Sequence, residues 1–124
     1  MKSKIDNLQL SYKIWLETSD QVGILGDRKC KLLKAIHETG SLNFAADKMG
    51  LSYRKTWGDL LKIENELGFP LIISTRGGVT GGNTMLTLEG KIIMAAFEKF
   101  HAEYDSIIHR GFRTILSEMK RKIR

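Results

Sequence analysis

The chain has 124 residues, enough for one domain with a terminal arm and too few for most two-domain enzymes. Hydrophobic residues are 42% and charged residues 27%, so a packed core is within reach and wholesale disorder is excluded. The net charge is +6, which suggests a polyanionic partner, but it is uneven: residues 1–109 carry +1 and residues 110–124 carry +5. The body must therefore be argued on its own residues. One cysteine, Cys30, leaves no intramolecular disulfide and no Cys-rich zinc module. The apolar runs are short and the N-terminus has no apolar segment of secretory type, so the expected location is cytoplasmic, with no membrane contact.

Residues 8–17 alternate, with Leu8, Leu10, Tyr12, Ile14 and Leu16 on one side, which predicts a half-buried strand. Residues 19–23 read as a loop. A helix is expected from Asp27 to Thr39, with Cys30, Leu33, Ile36 and His37 on one face, Leu32 beside them, and Gly40 as its left-handed C-terminal residue. Ser41 is placed to cap a short second helix buried through Leu42, Ala45, Ala46 and Met49. Gly50 breaks it. Ser52 caps a third helix from Tyr53 to about Glu66, with Thr56, Trp57, Leu60, Leu61, Ile63 and Leu67 inward. Gly68 and Pro70 stop it.

Residues 71–76 and 85–87 predict a β-hairpin around a Gly-rich tip. Thr87 then caps a long fourth helix, with Glu89 in its first turn. Along it Ile93, Phe97, Phe100, Tyr104 and Ile107 recur at spacings of four and three, a heptad-like seam. The apolar register shifts near Gly111, where a kink or an end is expected. Domain boundaries follow: a folded body over 1–109 and a basic tail over 110–124.

This order of elements is mainly α with a small β component, that of a winged helix-turn-helix. In that motif the second helix enters the major groove with its N-terminal residues at base edges. Here those residues are Ser52, Tyr53, Arg54 and Lys55. A hydroxyl can bond a base edge or a phosphate, Arg can fork onto guanine, and Lys can neutralise phosphate. Ser41 joins the expected set at the preceding helix start. The hairpin would lie along the duplex, with Arg76 at its base, Gly77, Gly78, Gly81 and Gly82 bringing amides to phosphates, and Asn83 or Thr84 near the minor groove. No Gly-Lys-Ser/Thr follows these glycines, which argues against a nucleotide loop. The fourth-helix seam extends past a compact domain, and this favours pairing with a second copy; two-fold dimers match inverted-repeat sites.

Catalytic patterns are weak. His37, His101 and His109 lie on helices without partners at ligand spacing, and the Glu98–His101 pair lacks the second copy that a di-iron bundle needs. Cys30 reads as a small core residue; Trp15 and Trp57 read as packing residues, with Trp15 on the strand's polar side. The expectation is a non-enzyme without cofactor or metal. Two rival readings remain: a winged-helix adaptor that binds proteins, and a metal-responsive sensor using His101, His109 and Cys30.

The run from Leu33 to Trp57, with Gly40-Ser41, Ala45-Ala46 and Gly50-Leu51-Ser52-Tyr53, then Gly77-Gly78, Gly81-Gly82 and Leu86 to Gly90, resembles the DNA-binding domain of the ModE family. Those are molybdate-responsive transcriptional regulators, distantly similar to the LysR type. The resemblance implies a winged-helix homodimer on double-stranded DNA, read by the helix that starts at Ser52. It implies that the leading strand, through Leu10, Tyr12 and Ile14, and the long last helix help to form the dimer. Full-length members carry molybdate-binding domains after the long helix. None is expected within these 124 residues, so no molybdate site is carried over and the effector is left unknown.

Overall fold

Helix α1, Asp27–Thr39, forms where the spacing predicts it, burying Cys30, Leu32, Leu33, Ala35 and Ile36, while His37, placed by spacing on that face, is exposed in the last turn. Gly40 ends it at φ 71°, a conformation that a side chain would strain, and donates its N–H to the Ile36 carbonyl. In this computed structural model, residues 1–75 and 83–123 are described. They divide into two units, 14–97 and 1–13 with 98–124.

In the first unit, α2 (Leu42–Lys48) follows α1 after a two-residue corner. Ser41 Oγ accepts the Phe44 N–H at 3.1 Å, the expected cap. Helix α3, Tyr53–Leu67, is capped in the same way, with Ser52 Oγ accepting the Lys55 N–H at 3.3 Å. The core joins Leu25, Leu33, Ile36, Leu42, Ala45, Leu60, Ile63, Leu71, Leu86 and Phe97. Ala45 and Ala46 are fully buried; small side chains let α1 and α3 close on α2.

Two antiparallel ladders flank these helices. In the first, β1 (Trp15–Glu17) pairs with β2 (Gly23–Gly26) through a bulge. This corrects the expectation of one strand over 8–17. Only its last three residues find a ladder partner, and that partner includes Gly23, expected in a loop. Leu8 and Leu16 are exposed. In the second ladder, β3 (Ile72–Thr75) pairs with β4 (Asn83–Leu86), Ile72 opposite Leu86 and Thr75 opposite Asn83.

Side chains tie the hairpin to the helices. Glu64 of α3 accepts two backbone N–H groups with one carboxylate oxygen, Leu71 at 2.6 Å and Ile72 at 3.2 Å. Thr84 donates its N–H to the Gly40 carbonyl at 2.8 Å, and its hydroxyl accepts the Leu42 N–H at 3.1 Å. Glu64→Ala strands both strand amides, one of them on fully buried Leu71. The expected loss is about 1–3 kcal/mol in urea unfolding. An unchanged midpoint would show that solvent replaces the carboxylate.

Helix α4, Leu88–Lys122, begins at Thr87, whose hydroxyl accepts the Gly90 N–H at 3.0 Å and donates to the Pro70 carbonyl at 2.8 Å. It runs on through Gly111 as helix, which corrects the expectation of an end there. One exposed glycine costs a long helix about 1 kcal/mol, too little to stop it between apolar turns.

In the second unit, a 3-10 turn at Ile5–Asn7 leads an extended arm. The Tyr12 hydroxyl donates to the Asp105 carboxylate, and the His101 Nδ1 lies 2.7 Å from the same oxygen. His109 Nδ1 lies 2.8 Å from the Asp105 carbonyl oxygen. The Tyr12 ring sits 5.9 Å from each of the two imidazoles. Lys120 pairs with Asp6 at 2.9 Å. Tyr12, expected to alternate within a strand, instead fastens the arm to α4. Among the described residues no helix is long and apolar enough to cross a membrane.

Candidate nucleic-acid interface

The turn between α2 and α3 is set by its backbone. Gly50 has φ 68°, and the Leu51 N–H returns to the Ala46 carbonyl at 2.8 Å. Leu51 is half-buried between the helices, and Thr56, Leu60 and Ile63 face the core. Those three fix the rotation of α3. Tyr53, Arg54, Lys55, Trp57 and Lys62 are left on its exposed side.

Arg54 and Lys55 are exposed, and among the described residues neither forms an ion pair. By contrast, Lys29 and Asp59, on the flank of α3, neutralise each other at 3.2 Å. The first turn of α3 therefore presents two free cations beside backbone N–H groups that have no intrahelical acceptor, a combination that attracts phosphate. Ser52 accepts one of those N–H groups, and its hydroxyl proton stays available to donate.

Two large apolar side chains share this face. Tyr53 is 51% exposed and Trp57 is 45% exposed, and Phe44 on α2 is 61% exposed. Trp57 and Leu61 were expected inward. The core closes without them, because Thr56, Leu60 and Ile63 fill the inward arc. Hydrophobicity alone does not distinguish a core position from a contact position.

Of the remaining expected residues, Ser41 is half-buried and occupied as a helix cap. Asn83 is exposed at the start of β4, and its carbonyl accepts the Thr75 hydroxyl. Thr84 is buried, with its hydroxyl held by Leu42, which removes it from a groove contact. Arg76, Gly77, Gly78, Gly81 and Gly82 lie outside the described residues.

The expected dimer residues divide. In the first unit, Ile14 and Ile93 are half-buried against the core and Phe97 is buried, so these serve packing within the chain. In the second unit, Leu10 and Tyr12 are half-buried, and Phe100 packs on Tyr104 at 5.1 Å between ring centres. Tyr104 is 45% exposed and Ile107 is 52% exposed. Cys30 lies in the core, as read from its place on α1.

A capped helix, a glycine turn, a second capped helix and an antiparallel hairpin define a winged helix-turn-helix. Residues 28–91, about half the chain, match the family described as bacterial regulatory helix-turn-helix protein, lysR family. The chain belongs to that family. It is 37% identical over 86 residues to the molybdenum transport protein ModE of Azotobacter vinelandii, covering 69% of this chain and 32% of that protein. It is 36% identical over 78 residues to the molybdenum-pterin-binding protein MopB of Rhodobacter capsulatus, covering 63% and 29%. It is 27% identical over 89 residues to the transcriptional regulator ModE of Haemophilus influenzae, covering 72% and 35%. The chain thus spans about a third of the length of the curated relatives it matches. Among solved structures, the BenM DBD/benA site 1 DNA complex superposes with a TM-score of 0.52 at 24% identity, over 71% of this chain and 93% of that one. That likeness is one of fold.

Proposed function

We propose that this chain is a sequence-specific, non-catalytic DNA-binding transcriptional regulator that acts as a homodimer, with α3 in the major groove of the duplex. The observation that carries the reading is the exposed pair Arg54 and Lys55 on the first turn of α3, unpaired among the described residues. Tyr53, Arg54 and Trp57 contact bases; Ser52, Lys55 and the helix N-terminus contact phosphate. The hairpin supplies further backbone contacts through Arg76, Gly77, Gly78, Gly81, Gly82 and Asn83. Residues 1–109 form the DNA-binding and dimerisation domain, and the basic segment 110–124 adds non-specific attraction to the duplex. The name of the Haemophilus influenzae relative, a transcriptional regulator, supports this reading.

The test is selection of bound fragments from the host genome, followed by a salt titration on the preferred duplex. Counterion release predicts a steep loss of affinity as salt rises. A shallow slope with no preference among fragments would favour the protein-binding adaptor instead. Within this reading, Arg54→Ala should weaken binding by about 1–3 kcal/mol and relax the preference at one base position. Equal weakening on every sequence would reassign Arg54 to a phosphate. Cys30, which the metal-sensor reading would use with His101 and His109, lies in the core.

A further inference from the structure

Most of the glycines described here have a visible reason. Gly40, Gly50 and Gly68 have positive φ. A Cβ at Gly90 would lie 2.4 Å from the Leu71 carbonyl oxygen, and one at Gly26 would lie 2.7 Å from the Trp15 Cβ. Gly58 has neither reason. It sits in the body of α3 with helical φ, and an added Cβ would meet none of the described residues within 4 Å. A mid-helix glycine destabilises the helix relative to alanine, because the unfolded chain loses more freedom. Among the described residues nothing offsets that loss at Gly58.

The surroundings of Gly58 indicate what does. Neighbours on a helix surface lie three and four residues away. For Gly58 these are Arg54, Lys55, Leu61 and Lys62: three cations and one exposed apolar side chain. Trp57 stands beside it, also exposed. The bare backbone is thus ringed by positive charge, so the surface that approaches it is anionic. Gly111 is the contrasting case. It too has open space around it, but its helical neighbours are Ile107, Ile108, Thr114 and Ile115, a surface suited to an apolar helix.

We infer that Gly58 is the point of closest approach between α3 and the DNA duplex, a positioning residue whose missing side chain lets the helix backbone settle into the major groove. The inference rests on the DNA-binding reading and deepens it. With the backbone seated there, Arg54 and Lys55 reach opposite sides of the contact, and Trp57 lies against the groove wall, where thymine methyl groups offer an apolar surface.

The test uses the full chain and the duplex most often recovered by the wild type from genomic fragments. Gly58→Ala should fold and melt higher, by about 2–6 °C, because it removes a glycine from a helix. Its affinity for the duplex should fall at least tenfold, and Gly58→Gln should fall further. Asn65→Ala, on the same exposed side of α3 beyond the contact, should stay within twofold. The inference is overturned if Gly58→Ala binds the duplex within twofold of wild type, or if Asn65→Ala loses as much. It is also overturned if Gly58→Ala keeps duplex affinity and loses only a protein partner. Failure of the DNA reading is separate: the wild type itself would then show no preferred fragment and a shallow salt slope.

Discussion

Tyr104→Asp is expected to split the proposed homodimer and to leave a folded chain. Within the second half of α4, Tyr104, Ile107 and Ile115 are each about half exposed, and Gly111 lies between them with open space above it. Apolar area of this kind is costly in water and inexpensive against a second copy. In a two-fold interface the same residue enters twice, so one substitution introduces two carboxylates. A desolvated charge without a partner costs several kcal/mol, enough to dissociate an interface of ordinary size. Light scattering should then give the mass of one chain, 14.1 kDa, in place of two. Binding to a two-half-site duplex should fall by about 100-fold or more, since the second half-site is no longer delivered with the first. Circular dichroism should hold its helical signal, because Tyr104 is 45% exposed and lies outside the core cluster. An unchanged mass refutes this interface.

Leu60→Ala is expected to lower the unfolding free energy by about 2–5 kcal/mol, the cost of lost burial plus the cavity left behind. Leu60 is 1% exposed and belongs to the same cluster as Leu33, Ile36, Leu42 and Ala45. It packs α3 into the core, away from exposed Arg54. The effect should appear as a lower urea midpoint with an unchanged slope. Where the variant is still folded, duplex affinity should stay near wild type, because the outward face is intact. A loss below about 1 kcal/mol would show that α3 is not seated as described.

The sequence was most informative where a local rule decides the backbone. Gly40, Ser41, Gly50, Ser52 and Thr87 each act within one turn of their own position, and the helix starts and stops follow from them. It was least informative where the partner is distant in sequence. Glu64 caps the start of the hairpin from seven residues away, and no local pattern marks it. β2 forms because β1 lies beside it, and its own glycines argue against a strand. Tyr12 alternates like a strand residue, and its partner, Asp105, is on α4. Within the candidate site, Arg54 and Lys55 were readable from their place after the Ser52 cap. Hydrophobic spacing places Trp57 in the core and the structure leaves it exposed, because spacing counts a tryptophan as core whether or not its own chain covers it.

The paired clamps at Glu64 and Thr84 make the hairpin and the three helices one mechanical body. The carboxylate of α3 holds Leu71 and Ile72 at the entry to β3, and β4 holds the corner between α1 and α2. Neither ladder strand can slide or tilt without breaking a bond to a helix. The paired strands and α3 are thereby held as one piece, so the angle between the β3–β4 ladder and α3 is set by the fold and not by what either one meets.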